Sequence, residues 1–420
     1  MPTIAYLANL FPAASERYVA DEIRELRNRG FAVIPCSIRR AAPDIDDDLK
    51  PWLTETVYLW PLRPIRILQA AWLCLTHLAV LRTFFRRILF CGKESQGKRP
   101  RAPVHTFLGA YYAAVLKEFR PQHIHVHHGY FGSWVAMVAA RLLGLDFSMT
   151  LHGSDLLLDP AYLDLKLELC QLCVTVSEFN HKYLVANYPQ VDPTKIVVQR
   201  LGVDCPAKPA TVRPGHDSSF FIIFTAGRLH PVKDHAFLIR SCRLLKNHRL
   251  KFICLIAGDG LERHALESLI RQLDLQNEIQ LLGQIAHARM PEYYEIADLV
   301  VLTSRSEGIP LLLMEAMARG KLVLAPNLNG IPELVSDGET GFLYRPGSLD
   351  DFVTRVEMIH DKRPHVAGVS QAARQQVLQH FNRQKNLAAF CDRLSATLTA
   401  PLPSKYATPQ ESSYEDSLLQ

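Results

Sequence analysis

The sequence predicts an α/β protein made of two doubly wound domains, each built on a parallel sheet. Short apolar runs alternate with helical patterns along most of the 420 residues, and this alternation is typical of βαβ units. It is interrupted over residues 204–219, a stretch rich in proline and poor in apolar residues. Because domains typically contain roughly 100–200 residues, we expect one sheet before this linker and one after it.

The composition is that of an ordinary globular protein. The chain is 48% hydrophobic and 21% charged, which excludes disordered, collagen-like and coiled-coil proteins. Its net charge of +5 is too small to indicate a nucleic-acid partner, and we expect none. No apolar run reaches the roughly 20 residues of a spanning helix, and residues 1–7 lack the basic start of a secretory signal. We therefore expect a cytoplasmic protein whose nine cysteines are reduced.

The first domain is expected over residues 1–203. Its strands are short apolar runs, and its helices repeat apolar residues at helical spacing. The predicted strands lie at residues 3–8, 31–37, 123–127, 147–151 and about 197–203, and the predicted helices at 15–29 and 132–143.

An insertion over residues 64–103 combines an apolar helical pattern with eight cations and a single acid. Two interpretations are open. It is either an ordinary helix with a solvated basic rim, or an amphipathic segment that lies on an anionic membrane surface, where each cation contributes on the order of 1 kcal/mol.

The second domain is expected over residues 220–380, followed by a closing helix at 381–400 and a disordered tail at 401–420 with few apolar residues. The predicted strands lie at residues 220–225, 251–257, 278–282, 299–303, 322–325 and 341–343, and the predicted helices begin near 233, 261, 291 and 310.

The most informative segment for chemistry is residues 304–318. It follows an apolar strand, contains Gly308 in a turn, and has Pro310 where the first helical residue is expected. A helix start of this kind presents free backbone N–H groups to an anion such as phosphate. Since carboxylates repel phosphate, we expect Glu307 and Glu315 to accept hydrogen bonds from hydroxyls, one on a sugar and the other on a ribose. The alternative is that both are ordinary helix carboxylates.

Two cations follow the first strand of the same domain. Arg228 and Lys233 could neutralise a diphosphate, Arg228 through forked hydrogen bonds and Lys233 as a point charge. Taken singly, each is equally well explained as a surface cation. A further turn before a helix, residues 329–335, is expected at the same edge of the sheet.

In combination, these motifs resemble the donor-binding domain of family 4 glycosyltransferases. The resemblance covers about residues 220–360. Gly-Arg-Leu, with a lysine five residues after the arginine, lies at residues 227–233, and Gly-Asp-Gly lies at residues 258–260. Glu-Gly-Ile-Pro with a second glutamate lies at residues 307–315, and Gly-Ile-Pro-Glu with Asp-Gly-x-Thr-Gly-Phe lies at residues 330–342.

The first domain resembles the same family more loosely. The shared segments are His-Val-His, Thr-Leu-His-Gly-Ser-Asp and Leu-Gly-Val-Asp, at residues 125–127, 150–155 and 201–204. The opening at residues 11–19 is similar to family members that assemble bacterial exopolysaccharides such as colanic acid.

The resemblance implies a GT-B fold, in which two Rossmann-like domains face a central cleft. It also implies a UDP- or GDP-sugar donor, no required cofactor or metal, and retention of anomeric configuration. The donor would be bound by Gly227, Arg228, Lys233, Gly258, Glu307, Gly308, Ile309, Pro310 and Glu315. The acceptor would be bound by Ser15, His127, His152 and Asp155. The catalytic groups would be Arg228, Lys233, Glu307 and His152.

Three departures from the family pattern are visible. Asp234 and Asn329 stand where the family often has glycine, and residues 13–15 replace the usual Gly-Gly loop. The last departure leaves the acceptor contacts least defined.

The histidines at 123, 125, 127 and 128 suggest a metal site, because alternate residues of a strand share a face. No acid or cysteine lies near them in sequence. We therefore expect polar packing or contact with the cleft rather than a metal.

The function implied is transfer of a hexose-type sugar to a saccharide acceptor, which the basic insertion suggests is linked to polyprenyl diphosphate. This would place the protein peripherally on the cytosolic face of the inner membrane. Two alternatives stay open: a nucleotide-sugar epimerase or phosphorylase of the same fold, and a scaffold that binds nucleotide sugars without turnover.

Overall fold

The computed structural model describes residues 2–41, 45–88, 101–158, 160–208, 219–362 and 367–399. The first domain contains a seven-stranded sheet in which all neighbouring strands are parallel, in the order β3-β2-β1-β4-β5-β6-β7. Its strands are β1 (Thr3–Leu10), β2 (Ala32–Arg39), β3 (Val57–Tyr58), β4 (His123–His127), β5 (Asp146–Leu151), β6 (Leu172–Thr175) and β7 (Ile196–Val198). The strand order reverses direction between β1 and β4, and ligands bind at such switch points.

Nine helices precede the linker in the described ranges. The best buried is α6, whose apolar residues contact both the sheet and α5, so it forms the centre of the first core. The helices are α1 (Arg17–Asn28), α2 (Trp52–Glu55), α3 (Pro64–Thr76), α4 (Leu78–Arg86), α5 (Arg101–Leu116), α6 (Phe131–Leu143), α7 (Ser154–Leu157), α8 (Leu163–Leu169) and α9 (Glu178–Asn187).

The second domain contains a six-stranded parallel sheet in the order β10-β9-β8-β11-β12-β13. Its strands are β8 (Phe221–Ala226), β9 (Phe252–Ala257), β10 (Ile279–Gly283), β11 (Leu299–Val301), β12 (Leu322–Pro326) and β13 (Phe342–Tyr344). Its helices are α10 (His235–Asn247), α11 (Arg263–Gln272), α12 (Met290–Ile296), α13 (Leu311–Ala318), α14 (Leu349–Asp361) and α15 (Ala367–His380). The predicted class, two doubly wound domains, is confirmed.

The last described helix, α16 (Arg383–Thr399), returns to the first domain. Its buried Phe390 and Leu394 pack against Ile4 and Tyr6 of β1. The chain therefore crosses between the domains twice, and the two crossings touch at a bridge between Val203 and Asn382. Residues 209–218 of the predicted linker and the whole predicted tail, 401–420, lie outside the described residues.

The predicted insertion is described over α3 and α4, whereas residues 89–100 lie outside the described ranges. The two helices meet at a bend of 79°. Within the described ranges, no single helix has the length and apolarity needed to cross a membrane, although this bent pair taken together satisfies those two criteria. An apolar stripe along α3 and the first residue of α4 faces away from the core, with five large side chains between 60% and 67% exposed: Ile65, Leu68, Trp72, Leu75 and Leu78.

Candidate active site in the cleft between the domains

The switch points of the two sheets face a common cleft of about 340 Å³. Its lining comes from both domains, and from the segment at residues 199–204 that leads out of the first one. From the first domain it includes Ser15, Tyr18, Asp21 and Glu22, and from the second Gly227, Arg228, Gly258, Leu311, Leu312 and Glu315. Five of the predicted donor and acceptor residues therefore line one cavity: Ser15, Gly227, Arg228, Gly258 and Glu315.

The two predicted cations lie in the loop after β8 and differ in their partners. Nζ of Lys233 donates a hydrogen bond of 2.5 Å to Oε1 of Glu307, in the loop after β11. The Arg228 side chain is exposed to the cleft and makes no hydrogen bond or ion pair within the described part of the chain. An unengaged guanidinium beside an anchored ammonium is a suitable arrangement for binding a diphosphate.

The loop before α13 lies where the two domains touch. A Cβ atom on Gly308 would be 2.0 Å from the carbonyl oxygen of His152, so only glycine permits this approach. Pro310 was expected as the first helical residue but is the N-cap, and the helix begins at Leu311. Because the first helical N–H groups have no partner within the helix, α13 directs unpaired donors towards the cleft that Leu311 and Leu312 line.

Glu315 is held in place from the second domain. It accepts a hydrogen bond of 2.6 Å from the hydroxyl of Tyr294, a fully buried side chain. Burial, followed by the charge of Glu315, raises the pKa of Tyr294 well above its usual value, so the phenol stays a hydrogen-bond donor. Glu315 is thus a fixed acceptor in the cleft.

Backbone geometry explains one predicted glycine and two of the departures from the family pattern. Gly258 has φ of +131°, and a Cβ atom there would be 1.9 Å from the carbonyl oxygen of Gly227. Asp234 and Asn329 both have left-handed backbones, with φ of 48° and 50°. Asp and Asn adopt this region more readily than most other residues with a side chain. Asp234 and Asn329 therefore fit positions that favour glycine, with only modest backbone strain.

Behind the first-domain wall of the cleft, His152 is half-buried and packs against the rings of His128 and of Tyr18, which lines the cleft. Burial, then the charge of His128, lowers the pKa of His152 well below its usual value. His152 is therefore a neutral imidazole at the contact with the loop of Glu307.

Two predicted acceptor residues lie behind this wall. His127 is 0% exposed, and Asp155 is fully buried with both carboxylate oxygens bonded to backbone N–H groups of His152, Gly153 and Gly129. Asp155 thus fixes the turn that carries His152. Direct acceptor binding by His127 and Asp155 stays a prediction, and their geometry favours an indirect role.

The first two histidines of β4 are bonded to hydroxyls of β5. His123 and His125 share the Ser148 hydroxyl at 2.7 Å each, and His125 also lies 3.1 Å from the hydroxyl of Thr150. Burial lowers the pKa of His123 to about 3. Over the ranges that the structure describes, no cluster of three or more His, Cys, Asp or Glu residues is placed to hold a metal ion.

The structure adds two acidic residues that the sequence motifs do not indicate. Glu16 pairs with His128 at 3.2 Å. Glu22 lies 2.8 Å from His127 and also accepts from the Tyr6 hydroxyl, although it is only 3% exposed. One signal was available for Glu22, since it falls on the apolar face of α1 with Val19, Ile23 and Leu26.

A further contact joins the two domains beside the cleft. The carboxylate of Glu333 accepts hydrogen bonds from the first two backbone N–H groups of α9, at Glu178 and Phe179, and lies 3.1 Å from Arg200. The second domain therefore caps a helix of the first.

This fold and cleft define a glycosyltransferase of the GT-B class, and comparisons with known proteins agree. The family model "Glycosyltransferase Family 4" matches residues 15–206, and "Glycosyl transferases group 1" matches residues 211–376. The chain belongs to these glycosyltransferases, with a family 4 first domain and a group 1 second domain. The predicted resemblance is confirmed.

Curated relatives include the amylovoran biosynthesis glycosyltransferase AmsK of Erwinia amylovora, which is 28% identical over 69% of this chain and 74% of the relative. The putative colanic acid biosynthesis glycosyltransferase WcaL of Salmonella typhimurium is 32% identical over 46% of this chain and 49% of its own length. The chain thus matches about half the length of the second relative.

Solved structures with the same fold include the sucrose-phosphate synthase of Thermosynechococcus elongatus, with a TM-score of 0.73 and 17% identity over 95% of this chain and 99% of that chain. Another is HepE of Anabaena in complex with UDP-glucose, with a TM-score of 0.69 and 19% identity over 94% of this chain and 100% of that chain.

Proposed function

We propose that this glycosyltransferase moves a hexose-type sugar from a nucleoside-diphosphate sugar to a saccharide acceptor, with retention, in the synthesis of a bacterial exopolysaccharide. The observation that carries the proposal is the contact of Lys233 with Glu307 between the loops after β8 and β11, next to the domain contact at His152. Arg228, in the same loop as Lys233, lines the cleft. HepE, of the same fold, was solved with UDP-glucose, and the names of AmsK and WcaL refer to exopolysaccharide synthesis.

The proposed roles follow from the charges. Arg228, Lys233 and the N-terminus of α13 stabilise the negative charge that develops on the departing diphosphate. Divalent metals do this in other transferases, and here we propose that neither a metal nor a cofactor is required. Glu307 accepts a hydrogen bond from a hydroxyl of the transferred sugar, and Glu315 accepts one from a ribose hydroxyl.

In the proposed reaction, the bond between the anomeric carbon and the diphosphate oxygen breaks. The acceptor oxygen forms its bond on the face that the diphosphate leaves, and the acceptor proton passes to the diphosphate. No protein nucleophile takes part, so the protein contributes by positioning the substrates and stabilising charge.

A panel of UDP- and GDP-sugars, tested for release of nucleoside diphosphate with and without saccharide acceptors, is the direct experiment. Product formed from the donor alone would indicate an epimerase, and dependence on inorganic phosphate would indicate a phosphorylase. Donor binding without any turnover would indicate a scaffold. NMR of the product's anomeric signal then distinguishes retention from inversion.

The acceptor is proposed to be linked to polyprenyl diphosphate, so that transfer occurs at the cytosolic face of a membrane. The structural support is the apolar ridge of α3 and α4, formed by Ile65, Leu68, Trp72, Leu75 and Leu78. Arg82 and Arg86 of α4 are exposed on the same helix pair. Exposed apolar side chains flanked by cations are the composition of a helix that lies in an anionic lipid surface.

Vesicle flotation tests this part of the proposal. The protein is expected to float with phosphatidylglycerol-containing vesicles and less with pure phosphatidylcholine. Replacing both Arg82 and Arg86 by alanine should weaken binding about 30-fold, because each cation contributes about 1 kcal/mol of binding free energy. Trp72→Ser should also weaken it, whereas Leu261→Ser, at a side chain 92% exposed in the second domain, should not. Absence of binding by the unaltered protein would refute membrane association, and equal loss with Leu261→Ser would refute the ridge as its site.

A further inference from the structure

Three buried or half-buried side chains form a continuous line of hydrogen bonds from helix α1 to the domain contact. Oε2 of Glu22 lies 2.8 Å from Nε2 of His127, and Nδ1 of His127 lies 3.1 Å from Nε2 of His152. Glu22 and His127 are 3% and 0% exposed. His152 is the member of the line that reaches the Glu307-Gly308 loop, because its carbonyl oxygen lies against Gly308.

Packing alone does not account for Glu22. Its neighbours on the same face of α1 are Val19, Ile23 and Leu26, all fully buried. A carboxylate at such a position loses its hydration, and a well-packed apolar side chain would often be as stable or more so. Two hydrogen-bond donors replace this lost hydration, the Tyr6 hydroxyl and His127.

The protons along the line can be assigned from the acceptor at its end. A carboxylate only accepts hydrogen bonds, so His127 carries its proton on Nε2. A neutral His127 then has an unprotonated Nδ1, which must accept from its own partner. That partner is Nε2 of His152, so with His127 uncharged the proton lies on Nε2 of His152, and Nδ1 of His152 is unprotonated.

Among the described residues, Nδ1 of His152 has no hydrogen-bond partner, while its Nε2 is occupied by His127. A tautomer flip would reverse this and turn an acceptor into a donor at the contact between the domains.

We propose that Glu22 is a positioning residue that acts through His127 to hold His152 in its Nε2–H tautomer, so that Nδ1 accepts a hydrogen bond from a substrate hydroxyl. The kinetic part of this inference rests on the proposed transfer reaction, whereas the tautomer itself does not.

Nitrogen-15 NMR of histidine-labelled protein tests the tautomer without any substrate. The His152 signals, identified by their loss in His152→Asn, should show a protonated Nε2 and an unprotonated Nδ1. Glu22→Gln keeps the shape but offers both a donor and an acceptor to His127, so the His152 signals should move towards a tautomer mixture. The matched control is Glu25→Gln on the same helix, whose carboxylate pairs with Arg29 and which should leave the His152 signals unchanged.

The kinetic readout uses the donor found active in the panel. Glu22→Gln should lower kcat at least about tenfold with KM for the donor within about twofold, and Glu25→Gln should change neither. A protonated Nδ1 in the unaltered protein, or unchanged His152 signals in a folded Glu22→Gln variant, would overturn the inference. If no donor is turned over, the proposed function fails while the NMR result still decides the tautomer.

Discussion

Nζ of Lys233 and Oε1 of Glu307 are 2.5 Å apart, and this contact joins the loop after β8 to the loop after β11 across the switch point of the second sheet. The two side chains are 26% and 14% exposed, so neither is fully buried. The contact holds the two side chains in fixed relation to each other, as the proposed binding of the donor diphosphate by Lys233 and of the transferred sugar by Glu307 requires.

The first prediction concerns this pair. Lys233→Ala and Glu307→Ala should each lower turnover about a hundredfold, an effect typical of lost transition-state contacts. The double variant should not recover activity, since both groups are proposed to touch the donor. Steady-state kinetics measure the effect, and circular dichroism checks that the fold is retained. Activity like that of the unaltered protein in either single variant would contradict the assigned roles.

The second prediction concerns Gly308. In Gly308→Ala the new Cβ would lie 2.0 Å from the carbonyl oxygen of His152, so the domains must move apart at this point. A displacement of about 1 Å at a reacting centre can lower activity about a hundredfold. Gly368→Ala is the control, because a Cβ there has nothing within 4 Å. Equal activity of the two variants would show that the close approach is not needed for turnover.

The third prediction concerns the helix cap between the domains. Glu333→Ala removes the carboxylate that receives the N–H groups of Glu178 and Phe179. Loss of an N-terminal cap lowers stability by about 1 kcal/mol, and urea unfolding should show this difference. Glu339→Ala, at an exposed position of the same domain, should unfold like the unaltered protein. If Glu333→Ala also does so, the cap contributes nothing to stability.

The fourth prediction concerns acid stability. Burial lowers the pKa of His123 from 6.5 to about 3. Between these values the unfolded chain binds the additional proton, so this histidine makes the protein less stable as the pH falls from 6.5 towards 3. His123→Gln removes this contribution. The unfolding free energy of the variant relative to the unaltered protein should be constant above pH 6.5 and rise below it, as measured by urea unfolding from about pH 8 to about pH 4. A difference independent of pH would refute the assignment.

Much of the fold was accessible from the sequence because its elements are local. Apolar runs predicted all six strands of the second sheet, with ends within two residues, and β1, β2, β4, β5 and β7 of the first. The predicted end of β7 was five residues too late. Strands β3 and β6 were not predicted, because each is a run of only two to four residues. The strand, glycine turn and helix start around Glu307 and Glu315 were also predicted, since they occur within a few residues of one another. The chemistry proposed for the two carboxylates stays a prediction.

Contacts between distant segments were not accessible in the same way. Glu22 and His127 are 105 residues apart, and they meet because β1 and β4 are neighbours in the sheet. Glu333 contacts α9 only through the docking of the two domains. Helix α16 belongs by sequence to the end of the second domain, yet it packs on the first.

The sequence by itself determined the class of fold, the two sheets and the donor-side motifs, because each depends on periodicity or on residues close together in the chain. Only the tertiary structure decided which acids pair with the β4 histidines, which face of α3 is exposed, and how Gly308 meets His152. These depend on strand order and domain docking, which bring together side chains that are far apart in the sequence. No local sequence pattern predicts such contacts.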